Sequence, residues 1–113
     1  MSEYKRGDIV YVDLSGTKGS EQKGVRPSVI VSNDKGNGEG PTLVVIPLTT
    51  QRKSNLPTHV RVRSAEGLSG ESTLLCEQIR VVSKERVGKS IGKIPSEMMR
   101  QVDKRIKIAL SLR

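Results

Sequence analysis

The chain has 113 residues, of which 20 are Lys or Arg and 12 are Asp or Glu, so its formal net charge is +8. This length predicts one domain with one core, spanning residues 1–113. A small domain this basic is expected to meet an anion, such as nucleic acid, an acidic protein segment or a membrane surface. No apolar run reaches the roughly 20 residues that span a bilayer, which argues against a membrane protein.

The compartment can be predicted from the first residues and from cysteine usage. The start, Met-Ser-Glu-Tyr-Lys-Arg, lacks the apolar core of a signal peptide. The single cysteine, Cys76, cannot form an internal disulfide. We therefore expect a cytoplasmic protein.

Aromatic side chains are scarce: Tyr4 and Tyr11 are the only two, and Trp and Phe are absent. Single-strand binders of the OB or RRM kind stack bases on several aromatic rings. This chain cannot build such a platform. If it binds RNA, it must use charge, hydrogen bonds and apolar pockets.

Most of the chain is typical of short β-strands separated by turn residues. The stretch 27–33 is apolar at consecutive positions, which predicts a strand buried on both faces. Pro47 cannot donate to a ladder, so its strand should be bulged or at an edge there. The glycine-rich stretch 33–41 predicts an exposed turn. The predicted strands are residues 9–14, 27–33, 42–49, 58–63, with Val60 and Val62 inward, 72–82 and a weaker last one at 86–94.

The period changes to that of a helix after Pro95. Ser96 is the predicted N-cap. Arg100, Lys104 and Lys107 would form an exposed basic face. The fold class predicted from these elements is mainly β (α+β), a small β-barrel of about five to seven strands with a C-terminal amphipathic helix. Its apolar stripe consists of Met98, Met99, Val102, Ile106, Ala109 and Leu110.

The polar loop before the second predicted strand holds a constrained arginine. Gly19 and Gly24 allow tight turns at both ends of the loop. Pro27 favours an extended Arg26 at the start of the strand. An arginine held in this way suits recognition of a phosphate oxygen or of charge developing on one. It could equally be a surface arginine paired with a nearby carboxylate, and this stretch alone does not decide.

Metal and nucleophilic chemistry receive little support from the sequence. One His and one Cys give no ligand set with the spacing that zinc needs. Glu21 and Glu77 are too isolated to indicate Mg²⁺, so we expect no metal and no cofactor. Cys76 lies in an apolar stretch and is interpreted as a buried, inert thiol. His59 is interpreted as a surface histidine at a strand start, at the border of a groove.

Three polar residues do not fit the apolar stretches that contain them. Thr49 ends an aliphatic strand, and Glu77 and Gln78 interrupt another. Ordinary β propensity explains the first, and the solvent face of an alternating strand explains the other two. The alternative is RNA cleavage, in which the substrate supplies its own 2′-OH as nucleophile and the protein stabilises charge on the phosphate.

Six segments, taken together, resemble the MazF/PemK-type endoribonuclease toxins of bacterial toxin–antitoxin systems, and most closely the branch typical of Bacillus. The likeness covers nearly the whole chain, in order and at the spacing of that family. The segments are Arg6-Gly7-Asp8 with the strand that follows it, Gly19-Ser-Glu-Gln-Lys-Gly-Val-Arg-Pro27, Pro-Leu-Thr-Thr at 47–50, Leu56-Pro-Thr-His59, Glu77-Gln-Ile-Arg80 and the Ile-Pro-x-Glu-Met-Met start of the helix.

The resemblance implies an SH3-like barrel with a C-terminal helix that works as a homodimer. Members of that family cut single-stranded RNA at short motifs without a metal, leaving a 2′,3′-cyclic phosphate and a 5′-OH. An acidic antitoxin tail blocks their RNA groove. The charge of +8 suits both RNA and such an antitoxin as partners.

The resemblance also assigns residues by position. Arg26 and Thr49 would be the catalytic pair. Some relatives use an arginine and a histidine at the positions occupied here by Leu75 and Ser20, so the cationic role would rest on Arg26. The residues expected to line the RNA groove are Ser20, Glu21, Gln22, Leu56, His59, Glu77 and Gln78.

Two alternative functions remain open at the level of sequence. A non-enzymatic gyrase poison could use the same fold, but relatives of that kind end in a Trp-containing tail, and this chain ends Leu110-Ser111-Leu112-Arg113. A basic barrel that only binds RNA is the third possibility, and the scarcity of aromatic residues disfavours it.

Overall fold

The computed structural model describes residues 3–16, 18–50, 56–63, 68 and 70–113, and the seven strands found there form one antiparallel arrangement. The strand order is β4-β5-β3-β2-β1-β7, and β6 pairs with β3 beside β5. Because this path has two ends, the described strands do not close into a strict barrel, but the predicted mainly β class is confirmed. The strands are β1 (Asp8–Asp13), β2 (Val25–Ile30), β3 (Thr42–Thr49), β4 (His59–Val62), β5 (Ser72–Leu75), β6 (Arg80–Ser83) and β7 (Val87–Lys93).

Apolar side chains are buried on both faces of the central strands. In β2, Ser28, Val29 and Ile30 are all buried, as the consecutive apolar pattern predicts. Val29 belongs to one core cluster and Ile30 to another, because neighbouring residues of a strand point to opposite faces. The first cluster includes Ile9, Ile46, Leu48 and Leu74, and the second includes Val10, Val12, Leu43 and Val45.

Pro47 is predicted to lie at a bulge or an edge of its strand, and within the described residues it has a ladder partner on one side only, although β3 as a whole has neighbours on both sides. On one side β3 pairs with β2, from Ser28↔Pro47 to Ile30↔Val45. On the other side its first half pairs with β6 and its last two residues pair with β5. Pro47 lies between those two partners, where its missing N–H costs no ladder bond.

The single strand predicted over residues 72–82 is wrong. A 3₁₀ turn, Cys76–Gln78, separates β5 from β6, and the N–H of Ile79 donates to the carbonyl of Cys76 at 3.2 Å. The apolar residues on both sides continue a β-like pattern, so propensity alone does not mark the break. Cys76 starts this turn instead of lying inside a strand, but its predicted burial is confirmed. Burial, and then the negative charge of Glu77, raise the pKa of its thiol to about 12.

A short helix, α1 (Asp34–Glu39), replaces the exposed turn predicted for residues 33–41. The Asn33 side chain accepts from the N–H of Gly36 at 2.8 Å and caps the helix. Asn37 is fully buried, and its amide donates to the carbonyl of Ser32 at 2.9 Å. These two asparagines stabilise a helix that the glycine content disfavours.

The predicted C-terminal helix is present as α2 (Ser96–Ala109), and Met99 and Val102 on its apolar stripe are buried. It packs against the 3₁₀ turn and β4. Ser96 is the first helical residue and Pro95 occupies the N-cap position, with no side-chain cap bond, so the predicted N-cap is wrong. Within the described residues, neither helix is long and apolar enough to cross a membrane.

Candidate functional site

The loop between β1 and β2 turns at its two glycines. Gly19 and Gly24 have φ values of +60° and +74°, a conformation that glycine adopts without a steric penalty. The carbonyl of Gly24 accepts from the N–H of Leu14 at 2.9 Å, which closes the loop onto the end of β1. The side chains at positions 20–22 are therefore presented beside the sheet by a loop with defined ends.

Arg26 is the second residue of β2, not the last residue of the loop, and its predicted extended conformation is confirmed. Its Nε donates to the carbonyl of Lys23 at 2.8 Å, and its side chain is half-buried. Within the described part of the chain, its two terminal nitrogens make no hydrogen bond and no carboxylate pairs with it. The alternative of a carboxylate-paired surface arginine therefore finds no support, and the guanidinium keeps donors for a ligand.

Arg26 and Thr49 lie on neighbouring strands. The ladder between β2 and β3 ends at Ser28↔Pro47, and Arg26 and Thr49 each lie two residues beyond that pair. Residues two apart in a strand share a face, so both lie on the face that carries Pro47. Thr49 is 2% exposed and pairs with Thr73 of β5. The catalytic pair implied by the resemblance stays a prediction.

A cavity of about 260 Å³ lies beside Pro47 and Leu14, and neither Arg26 nor Thr49 is among the described residues that line it. Four of the predicted groove residues line this cavity, as two adjacent pairs that lie more than fifty positions apart in the sequence. They are Glu21, Gln22, Glu77 and Gln78.

Gln78 connects the 3₁₀ turn with the loop. Its Oε1 accepts from the N–H of Gln22 at 2.9 Å, and its Nε2 donates to the carbonyl of Ser20 at 3.3 Å. Ser20 therefore meets the other predicted groove residues through its backbone. The interpretation of Gln78 as a residue on the solvent face of a strand is wrong, because Gln78 lies in the 3₁₀ turn and its side-chain amide bonds to the backbone of the loop.

Glu77 is held from the opposite side of the turn. Its Oε1 accepts from the hydroxyl of Thr58 at 2.7 Å, and its Oε2 lies 3.1 Å from Nε2 of His59. Burial alone would raise the pKa of the Glu77 carboxyl, but hydrogen bonds from Thr58, its own backbone N–H and His59 outweigh burial and lower it. Glu77 is therefore an ionised carboxylate at neutral pH.

His59 is not the surface histidine expected from the sequence, because its side chain is only 6% exposed. Its Nδ1 is buried and has no hydrogen-bond partner among the residues that the structure describes. Together with Leu56, which is 48% exposed, it borders a second cavity of about 540 Å³. The predicted groove residues therefore divide between two cavities, which the Glu77–His59 pair connects.

Two arginines at these cavities were not identified from the sequence. Arg80 is half-buried in β6 and lines the first cavity, and none of the hydrogen bonds or ion pairs of the described residues involves its guanidinium. Arg105 of α2 lines the second cavity and donates to the carbonyl of Pro57 at 2.9 Å. The segment Glu77-Gln-Ile-Arg80 contained the signal for Arg80, since this arginine stands between the apolar residues Ile79 and Val81 in a strand-like stretch.

The described residues include no group of three or more His, Cys, Asp or Glu side chains placed to hold a metal ion. The charged groups around the first cavity are instead two carboxylates and an arginine, Glu21, Glu77 and Arg80. Such a mixed set can bind a polyanion through the arginine and accept protons or hydrogen bonds through the carboxylates.

Known proteins are similar to this chain in sequence and in fold. A family described as PemK-like, MazF-like toxins of type II toxin–antitoxin systems matches residues 5–110. Endoribonuclease EndoA of Bacillus subtilis (strain 168) is 44% identical over 110 residues, which cover 96% of this chain and 95% of that protein. An endoribonuclease from Mycobacterial species, solved in complex with its cognate antitoxin, has a TM-score of 0.81 at 26% identity and 97% coverage of each chain. MazF from Deinococcus radiodurans has a similar fold, with a TM-score of 0.83 at 22% identity, covering 96% of this chain and 97% of that one.

Proposed function

Because the chain belongs to the family of PemK-like, MazF-like toxins of type II toxin–antitoxin systems, we propose that it is a sequence-specific endoribonuclease that cleaves single-stranded RNA without a metal ion. The 44% identity with endoribonuclease EndoA supports RNA as the substrate. The observation that supports the proposal is the β2–β3 ladder, which ends at Ser28↔Pro47: Arg26 and Thr49 each lie two residues beyond that pair, and Pro47 lines the first cavity.

The reaction that suits these groups is attack by the RNA on its own backbone. The 2′-oxygen bonds to the adjacent phosphorus, the bond from phosphorus to the 5′-oxygen breaks, and the products are a 2′,3′-cyclic phosphate and a 5′-OH. One proton leaves the 2′-OH and one is taken up by the 5′-oxygen, so no water and no oxidant is consumed. The protein must orient the strand and stabilise the charge that grows on the phosphate oxygens.

Arg26 is the proposed charge-stabilising residue. An arginine stays protonated throughout the usable pH range, so it is a donor and a poor base. Its terminal nitrogens would bind the non-bridging phosphate oxygens while Lys23 holds its Nε. Thr49, at the same end of the face, would donate its hydroxyl to a phosphate oxygen. The leaving 5′-oxygen would take its proton from Arg26 or from solvent.

Glu21 is the proposed base for the 2′-OH. It is exposed and lines the first cavity, and one of its oxygens accepts from the N–H of Lys18 at 3.2 Å. Glu77 is less suited, because Thr58 and His59 already occupy its two oxygens and its pKa is lowered. A carboxylate with more open coordination accepts a proton more readily.

The remaining predicted residues would hold the strand on either side of the cut. Arg80 faces the same cavity from β6, opposite Val45. Since Val45 and Thr49 are four residues apart in β3, roughly 13 Å along the strand, Arg80 would bind a phosphate other than the one being cut. The proposed RNA-binding set is Ser20, Glu21, Gln22, Leu56, His59, Glu77 and Arg80, and Gln78 belongs to it through its bonds to the backbone of Ser20 and Gln22.

The proposed partners follow from charge and from family membership. The formal net charge of +8 suits an acidic antitoxin as well as RNA. The mycobacterial relative is solved in complex with its cognate antitoxin, which supports the same kind of partner here. We further propose a homodimer that acts in the cytoplasm, where RNA is exposed to it.

The test is incubation of the purified protein with a long single-stranded RNA in EDTA, followed by sequencing and end analysis of the fragments. We expect cuts at one short motif, with 2′,3′-cyclic phosphate and 5′-OH ends. The matched control is a short RNA with a single 2′-deoxy nucleotide at the cut position, which should stay intact. Cleavage at that deoxy position, or cleavage only with added divalent metal, would contradict the proposed chemistry.

A further inference from the structure

We propose that Gln78 is a positioning residue that holds the backbone of the loop at positions 20–22 and thereby sets which RNA motif is cut. The part about the motif rests on the proposed ribonuclease function. The part about the loop rests on the structure alone, so the two can be tested separately.

The two hydrogen bonds of the Gln78 side chain resemble those that a residue of a neighbouring β-strand would make with the loop. Its carbonyl oxygen accepts from the N–H of Gln22 at 2.9 Å, and its amide nitrogen donates to the carbonyl of Ser20 at 3.3 Å. An N–H and a C=O two residues apart on one edge of a chain are the groups that a neighbouring strand would satisfy. The planar amide thus supplies one donor and one acceptor to a segment that lies outside the strands.

Two other described bonds at the loop tip are local. The N–H of Glu21 donates to the carbonyl of Lys18 at 3.2 Å, and the N–H of Lys18 donates to the Glu21 carboxylate at 3.2 Å. These bonds close the tip on itself but do not relate it to the sheet. Gln78 lies 56 residues away from Gln22 in sequence, so its bonds fix where the tip lies.

The element that carries Gln78 is itself well held. It ends the 3₁₀ turn Cys76–Gln78, whose first residue is buried. The preceding Glu77 is bonded to Thr58 and His59. A side chain on such a support can transmit a defined position to the loop, as sites built on rigid elements do.

This arrangement divides recognition between two kinds of residue. Gln78 already uses one donor and one acceptor inside the protein, which leaves its amide reduced capacity to read a base. Ser20, Glu21 and Gln22 are then the residues that present side chains to RNA. Their common backbone position is what Gln78 determines.

Amide hydrogen exchange by NMR on the free protein tests the loop part directly. In Gln78→Met, which keeps the length but removes both polar atoms, we expect the Gln22 amide to exchange about tenfold faster, since a net hydrogen bond of ordinary strength is lost. Amides of β2 such as Val29 should be unchanged, which shows that the variant is folded. The matched control is Lys89→Met on exposed β7, where Gln22 should exchange as in the wild type.

Sequencing of RNA ends cut by Gln78→Met tests the motif part. We expect a broader motif, with reduced preference at more than one position, and a larger increase in KM than decrease in kcat. Gln78→Asn keeps the amide but is one methylene shorter, so it should behave like Gln78→Met and not rescue. Unchanged Gln22 exchange would overturn the proposal, as would a loss of preference confined to one base position, which indicates direct reading by Gln78. A wild-type protein that cuts no RNA would defeat the proposed function, while the exchange rates would still decide the role of Gln78.

Discussion

Two regions that we propose to act on the RNA are built in different ways. Arg26 and Thr49 lie on neighbouring strands, β2 and β3, each two residues beyond the pair Ser28↔Pro47. Glu77 and Gln78 are placed by side-chain hydrogen bonds around a 3₁₀ turn that interrupts a strand-like stretch. Backbone pairing gives positions that single side-chain substitutions do not move, whereas a side-chain network can be altered one bond at a time. We therefore expect the first region to govern the rate of cleavage and the second to govern where cleavage occurs.

Removing the guanidinium in Arg26→Ala should have the largest effect. We expect cleavage to fall by roughly 10²–10³-fold, by analogy with the loss of a donor that stabilises an oxyanion. The measurement is a single-turnover rate with saturating protein, and a circular dichroism spectrum should confirm the fold. Arg26→Lys keeps a positive charge but loses the paired donors of the guanidinium, so its rate should lie between those of wild type and Arg26→Ala. A near-normal rate in folded Arg26→Ala would remove this residue from the site.

Thr49→Val should have a smaller effect on the same step. The substitution keeps the shape of a buried side chain but removes the hydroxyl, so we expect roughly a tenfold decrease in kcat, the size of one bond to a charged group. The cut motif should not change, because Thr49 belongs to the strand-paired region. Equal rates for Thr49→Val and wild type would reduce Thr49 to a structural residue.

Arg80→Met should weaken RNA binding more than it slows the chemical step. We expect KM to rise about tenfold, together with a shallower dependence of binding on salt, since one phosphate contact is lost. Arg100→Met removes the same charge from the exposed face of α2 and provides the matched control. If both variants changed KM and the salt dependence equally, Arg80 would contribute only to the overall charge.

The smallest expected effect concerns acid stability of the side-chain network. The pKa of Glu77 is lower in the folded protein than its ordinary value of 4.5. A carboxyl of this kind stabilises the fold fully above that ordinary value, and its contribution is lost as the pH falls through the lowered folded pKa. Urea unfolding at pH 7 and near pH 3 should show a smaller loss of stability in Glu77→Gln than in wild type. An identical loss of stability in the two proteins would show that Glu77 does not contribute to the pH dependence of folding.

Sequence reasoning identified the strand-paired region better than the turn-based one. The extended Arg26 follows from Pro27, and the consecutive apolar residues of β2 predict burial on both faces. The partner of each strand, and hence the relation of Arg26 to Thr49, depends on register, which propensity does not give. The resemblance to known toxins supplied that pairing as an expectation.

The turn-based region was missed for a physical reason. Residues 72–82 have β-like residue types on both sides of Glu77 and Gln78, and these two polar residues do not by themselves distinguish a 3₁₀ turn from the solvent face of a strand. That turn is favoured by tertiary contacts, namely the bonds of Gln78 to the loop and of Glu77 to Thr58 and His59. The burial of His59 and the position of Arg80 also depend on tertiary contacts, so the residue types alone do not predict them.

One experiment compares the two regions most directly: sequencing the RNA ends cut by wild type, Arg26→Ala and Gln78→Met from the same long RNA in EDTA, with rates measured in parallel. We predict that Arg26→Ala cuts the wild-type motif much more slowly and that Gln78→Met cuts a broader set of sites at a less reduced rate. The opposite result, a changed motif in Arg26→Ala and an unchanged motif with a collapsed rate in Gln78→Met, would contradict this division between cleavage and recognition.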